Sequence, residues 1–294
     1  MDDKQALFAL PAEATVAPPK KPRARPKNKI MLGPARPPVA APPADPGLLA
    51  VLEGIRDEMA TSIVGLGHAS MLSYTRSQKA IRPVHDYVKA LLTRDGNIKV
   101  AWTGLEKNIQ TRWSNKRQDV VAQPGGFTKG TGESTLAIGL KGHMYGGGRN
   151  INNAFSSVRS ELTDFHEQHP KMVCGHVHVV ALNQWDPKAA GDKRVAFRRL
   201  TPGSVATIID RYSRTSGRAL GNSPRAGDAE RIALVLVDFD QPVPLVYTNV
   251  EDLEADGWLK EDSNLRLDGV TLDGFVSDLL REHNHRFQGN HHLP

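Results

Sequence analysis

The sequence predicts an α/β domain in which helices flank a mixed central sheet, preceded by a disordered basic arm. Three observations carry this. Apolar residues recur at intervals of three and four in the stretches beginning with Leu48, Val84, Ile151 and Leu272, as amphipathic helices require. Between these patterns lie short β-rich runs, "KMVCGHVHVVAL" and "RIALVLVDF", of the kind buried inside a helix-covered sheet. Residues 1–47 differ in composition from everything after them, holding eleven of the twenty prolines.

Within that first segment "KKPRARPKNK" packs six cations into ten positions with no acid. Repeated prolines prevent a helix or central strand, and interleaved Lys and Arg have no apolar face to bury, so residues 1–47 are expected to be a mobile arm. Such an arm can contact phosphates without reading bases, or serve as a solubilising linker. The domain is expected over residues 48–290. At 294 residues and 39% apolar content the chain can bury a substantial core. Cys174 is the only cysteine, which excludes an internal disulfide and suits a reducing cytoplasm. The acidic start "MDDKQALFALPAEATVAPP" is unlike a signal peptide, and no run approaches the roughly 18–20 apolar residues of a membrane span. A formal charge of +6 is compatible with a polyanionic partner.

In chain order, "GLLAVLEGIRDEMATSIV" reads as a helix through Leu48, Leu49, Leu52, Ile55 and Met59. "AIRPVHDYVKALLTR" gives a second through Val84, Val88, Leu91 and Leu92, and "GLEKNIQTRW" a third, short one. The period then changes. "DVVA" and "TLAIGLKG" read as strands joined by the glycine-rich "QPGGFTKGTGES". Ile151, Phe155, Val158, Leu162 and Phe165 make "NINNAFSSVRSELTDFHEQH" an amphipathic helix ending before Pro170. A further helix is expected in "SVATIIDRYSR". The last, "LDGFVSDLLREHNHRF", places Leu272, Phe275, Val276, Leu279 and Leu280 on one face.

If "DVVA" and "TLAIGLK" pair antiparallel, Asp119 and Lys141 meet at one end of the hairpin. Alternation places Leu136, Ile138 and Leu140 on the buried face and Ala137, Gly139 and Lys141 on the opposite one. A carboxylate and a lysine there can hold Mg²⁺ and orient a water against a phosphodiester, although two carboxylates are usually needed to secure so hard a cation.

The segment "RQDVVAQPGGFTKGTGESTLAIGLKGHMYGGGRNINNAFSSVRSELTDF" resembles the core of the PD-(D/E)XK nuclease superfamily, and within it the XhoI-like type II restriction endonucleases. In these a strand beginning with aspartate precedes one ending in acid-x-Lys, then a Gly-x-Asn-x-Asn-Asn turn enters a helix carrying glutamates. Asp119, Lys141, and Gly148, Asn150, Asn152 and Asn153 match that pattern. "DRYSRTSGR" and "AERIALVLVDFD" look like the distal part of these enzymes, so the resemblance covers most of residues 110–245. It departs at Gly139, where the acid of acid-x-Lys is missing.

The resemblance implies a restriction-endonuclease-like core, Mg²⁺ as cofactor, and catalysis by Asp119, Lys141 and a relocated acid. Candidates for that acid are Glu161, Glu133 and Glu106, of which Glu161, on the helix after the lysine strand, is favoured. The metal set would be Asp119, Glu161 and the Leu140 backbone. Expected DNA contacts are Arg112, Lys116 and Arg117 before Asp119, and Arg149, Asn150, Asn152 and Asn153 at the helix entry. Implied partners are double-stranded DNA, a second copy of the chain to cut both strands of a palindrome, and a cognate DNA methyltransferase.

Other signals carry less. Cys174, His176 and His178 share one strand face, but zinc normally takes four ligands and no fourth is evident. Arg211, Arg214 and Arg218 can enter a groove. "HNH" in "REHNHRF" lacks the ββα spacing of HNH nucleases, and "GHMYGGGRN" lacks the spacing of nucleotide-binding loops. Three functions follow: a DNA endonuclease, a DNA-binding protein on that fold that no longer cuts because of Gly139, and an α/β protein binding a small molecule or partner through a closed apolar pocket.

Overall fold

The structure, a computed structural model, describes residues 45–76, 78–96, 107–111, 115–122, 134–145, 147–185, 197–218, 225–241 and 243–287. The expected arm therefore lies outside the described residues, as do Glu106, Arg112 and Glu133.

Helix α1 (Pro46–Arg76) starts where Asp45 Oδ1 accepts from the amides of Gly47 at 2.8 Å and Leu48 at 3.2 Å, with Pro46 in the first helical position. Its Leu48, Leu52, Ile55 and Met59 are buried, and α2 (Gln78–Gly96) answers with Ile81, Val84, Val88 and Leu92. The hairpin of β1 (Lys107–Gln110) and β2 (Asn115–Gln118) follows. This corrects the short helix expected over "GLEKNIQTRW". Asn108 and Gln110 are exposed while Ile109 is buried, an alternation of two, and pairing with β2 fixes the extended conformation. A single apolar residue in so short a run does not distinguish the two periods.

The central sheet has the order β3 (Val120–Ala122), β4 (Leu136–His143), β5 (Val173–Ala181), β8 (Arg231–Asp238), β9 (Leu245–Tyr247). The outer pairings are antiparallel and the two inner ones parallel, so the sheet is mixed as predicted. Between β5 and β8 lie a small antiparallel pair, β6 (Asn183–Trp185) with β7 (Phe197–Arg199), and helix α4 (Pro202–Thr215). Helix α3 (Gly147–Gln168) connects β4 to β5, while α5 (Val250–Ala255) and α6 (Phe275–Phe287) follow β9.

Both sheet faces are covered. Leu136, Ile138, Leu140, Val177, Val179 and Val235 pack with α1, α2 and α6. Ala137, Cys174, Ile232, Leu234 and Leu236 pack with α3 and α4. Among the described residues no helix is long and apolar enough to cross a membrane.

Gly175 shows how closely a helix approaches this sheet. A Cβ there would lie 2.6 Å from Leu279 Cδ1 and 2.9 Å from Phe275 Cζ. Gly175→Ala is therefore expected to destabilise by about 1–3 kcal/mol through overpacking, read as a lower urea midpoint with an unchanged slope.

Candidate active site

Strands β3 and β4 pair antiparallel as expected, Val120 with Ile138 and Ala122 with Leu136. The chain bends at Asp119, between the end of β2 and the start of β3. The Asp119 carboxylate crosses to β4, where Oδ2 accepts the Leu140 amide at 2.6 Å. Its Oδ1 faces His85 Nδ1 of α2 at 3.7 Å. Burial, with Arg82 adding to it, lowers the His85 pKa to about 4, so at neutral pH this is a contact with an uncharged ring.

Lys141 stands near the end of β4, half-buried, its Nζ donating to Ser157 Oγ at 2.9 Å. Ser157 and Glu161 are one helical turn apart on α3, so one helix face presents both to β4. Asp119, Lys141 and Glu161 line a common cleft of about 440 Å³, together with Asn115, Lys116, Arg117, Gly139, Leu140, Ser157 and Ser160. Desolvation raises the Glu161 carboxyl above the usual carboxylate range, against the pull of Lys141 and a bond from Gln118 Nε2 to Glu161 Oε1.

The other expected contacts divide. Lys116 and Arg117 line the cleft, and Lys116 Nζ pairs with Asp164 Oδ2 at 3.1 Å. Asn150, Asn152 and Asn153 do not line it; they lie exposed in the first turns of α3, which begins at Gly147, so the expected asparagine turn is already helix. Asn152 Oδ1 accepts from Arg211. Arg149 lies in the same helical start. Arg218, read as a groove residue, is instead buried, donating to Glu230 Oε1 at 2.5 Å.

Cys174, His176 and His178 do share a face, but one fully buried. His178 contacts Tyr212 Oη through Nδ1 and His143 Nδ1 through Nε2, both at 2.5 Å. Burial lowers the pKa of His176 to about 3. Among the described residues, potential ligand atoms of His166, Cys174 and Glu230 lie within 4.8 Å of one another. Glu230 is already committed to Arg218 and Arg286, and two guanidiniums disfavour a cation.

Sequence reading missed Gln118, Ser157 and Ser160. The serines were accessible from helical spacing to Glu161; Gln118 carried no pattern of its own. Compared with family models, curated proteins and solved structures, the chain matches none.

Proposed function

We propose that the chain is a restriction-endonuclease-like, Mg²⁺-dependent phosphodiesterase acting on double-stranded DNA. The observation that carries the reading is that Asp119 and Glu161, forty-two positions apart in the sequence, line one cleft with Lys141. The donor set suits a hard cation, since two carboxylates and the Leu140 backbone offer only oxygen. Asp119, Glu161 and the Leu140 carbonyl would hold the ion, which would supply positive charge to the phosphate and acidify a water. The protein's own groups do the rest. Lys141, tethered to Ser157, holds a water or offsets developing negative charge on the phosphate, and Lys116 and Arg117 steer the backbone into the cleft. Cutting both strands of a symmetric site calls for a second copy of the chain, and protecting the host calls for a methyltransferase of matching sequence, both in the cytoplasm.

One observation favours a protein that binds DNA without cutting it. One Glu161 oxygen already receives a hydrogen bond from Gln118, and burial raises the carboxyl above its ordinary range. The small-molecule reading has less support from this cleft, whose lining is charged and polar.

The test is incubation of purified protein with varied plasmid or phage DNA in Mg²⁺ and separately in Mn²⁺, with Lys141→Ala and Glu161→Ala alongside. Discrete fragments lost in both variants are the expected result. Salt-sensitive gel shifts without cleavage would replace this reading with the binding-only one.

A further inference from the structure

The geometry points to Gln118 as the residue that positions Glu161 as the second acid. This rests on the proposed nuclease reading.

Three observations support it. First, the bend at Asp119 interrupts the alternation between β2 and β3. Gln118 ends the β1–β2 hairpin, opposite Lys107, while Val120 opens the pairing with β4. With the alternation broken at this joint, the Gln118 side chain meets Glu161 of α3 and Asp119 reaches across to Leu140.

Second, Gln118 is only 3% exposed, and its amide is used. Nε2 donates to Glu161 Oε1 and to the Arg117 carbonyl at 3.2 Å. A donor on one carboxylate oxygen fixes the plane of the group and favours its ionised form. Among the described residues Oε2 of Glu161 has no hydrogen bond, and Glu161 lines the cleft. Oε2 is therefore the oxygen left for a cation.

Third, the space beside Gly139 is filled. A Cβ at 139 would stand 3.1 Å from His176 Nδ1 and 3.4 Å from Gln118 Oε1. The void bounded by Gln118, Gly139, Glu161 and His176 measures about 10 Å³, scarcely one water and far less than a carboxymethyl group. The His176 ring closes this room most tightly, and the Gln118 amide beside it holds the alternative acid.

The experiment titrates the full-length protein with Mn²⁺ and Mg²⁺ by calorimetry, comparing wild type with Gln118→Met, which keeps the length but lacks the donor. The expected result is metal binding weakened about 10- to 100-fold, with a Tm within about 3 °C of wild type. In plasmid cleavage the Mg²⁺ concentration for half-maximal rate rises by a similar factor, while the rate at saturating Mg²⁺ returns towards wild type. A merely space-filling Gln118 would leave the metal titration unchanged, and that outcome overturns the inference while the nuclease reading stands. Absence of metal binding by the wild type overturns both.

A second variant, Gln118→Leu, decides the matter should the methionine variant not fold. It is expected to weaken the same metal titration by a similar factor, and an unchanged titration would overturn the inference.

Discussion

Lys141→Met is expected, on the proposed nuclease reading, to lower Mg²⁺-dependent cleavage by about 10²–10³-fold, the scale seen when one charged or hydrogen-bonding group is removed from a reacting phosphate or acyl centre. Methionine retains most of the aliphatic stem and removes the ammonium. Because the Lys141 side chain is half-buried and its hydrogen bond among the described residues is to Ser157 Oγ, the fold should tolerate the change. Thermal unfolding and DNA binding in Ca²⁺ serve as controls, and both should stay near wild type. Ser157→Ala provides a milder comparison, since it removes the tether and keeps the charge; a loss of less than about tenfold is expected, consistent with one neutral hydrogen bond. Equal cleavage by wild type and Lys141→Met would remove Lys141 from the chemistry.

The largest effect on stability is expected at Glu230. Its carboxylate is almost fully buried between Arg218 Nη1 at 2.5 Å and Arg286 Nη1 at 2.9 Å, and Oε2 accepts the Cys174 amide at 2.6 Å. His166 Nε2 stands 3.3 Å away. Burial alone would raise the Glu230 pKa, but His166, Arg286 and the Cys174 amide outweigh it and hold the value at about 2. Glu230→Ala leaves the Arg218 guanidinium buried without its counter-ion and Arg286 with Glu282 alone, at a cost of roughly 3–5 kcal/mol. Linkage adds a pH signature. The folded pKa lies below the ordinary 4.5, so the contribution is complete above about pH 4.5 and lost as pH falls towards 2. Wild-type stability should therefore drop steeply across that window, and Glu230→Gln should flatten the drop. A wild-type-like urea midpoint for Glu230→Ala would show that the cluster is solvated.

Much of the architecture was legible because periodicity reports burial directly. The faces of α1, α2, α3 and α6, the pairing of β3 with β4 and the mixed order of the sheet all follow from spacing that packing then satisfied. The stretch around Ile109 was not legible, since one apolar residue among polar neighbours fits either a helix or a strand and the partner strand decides. At the cleft, Asp119, Lys141 and Glu161 could be nominated from type and position. Gln118 could not, because its role depends on a bend that reverses strand alternation, and nothing in "KRQD" announces one. Arg218 was misread for a related reason. A cation in a polar stretch looks solvated until Glu230, twelve positions on, is seen to bury with it.

The pairing of β5 with β8 also bears on how fast the protein can reach its fold. Gly175 and Arg231 are register partners 56 positions apart, and the Cys174–Glu230 bond closes the same span. These two inner strands join only after a long loop has been closed, whereas the α1–α2 pair forms from neighbouring residues. Such non-local order slows folding relative to a helical bundle of equal stability. Until β8 docks, β5 exposes an unpaired, apolar edge. Refolding yield should therefore fall as protein concentration rises, through association of chains caught at that stage.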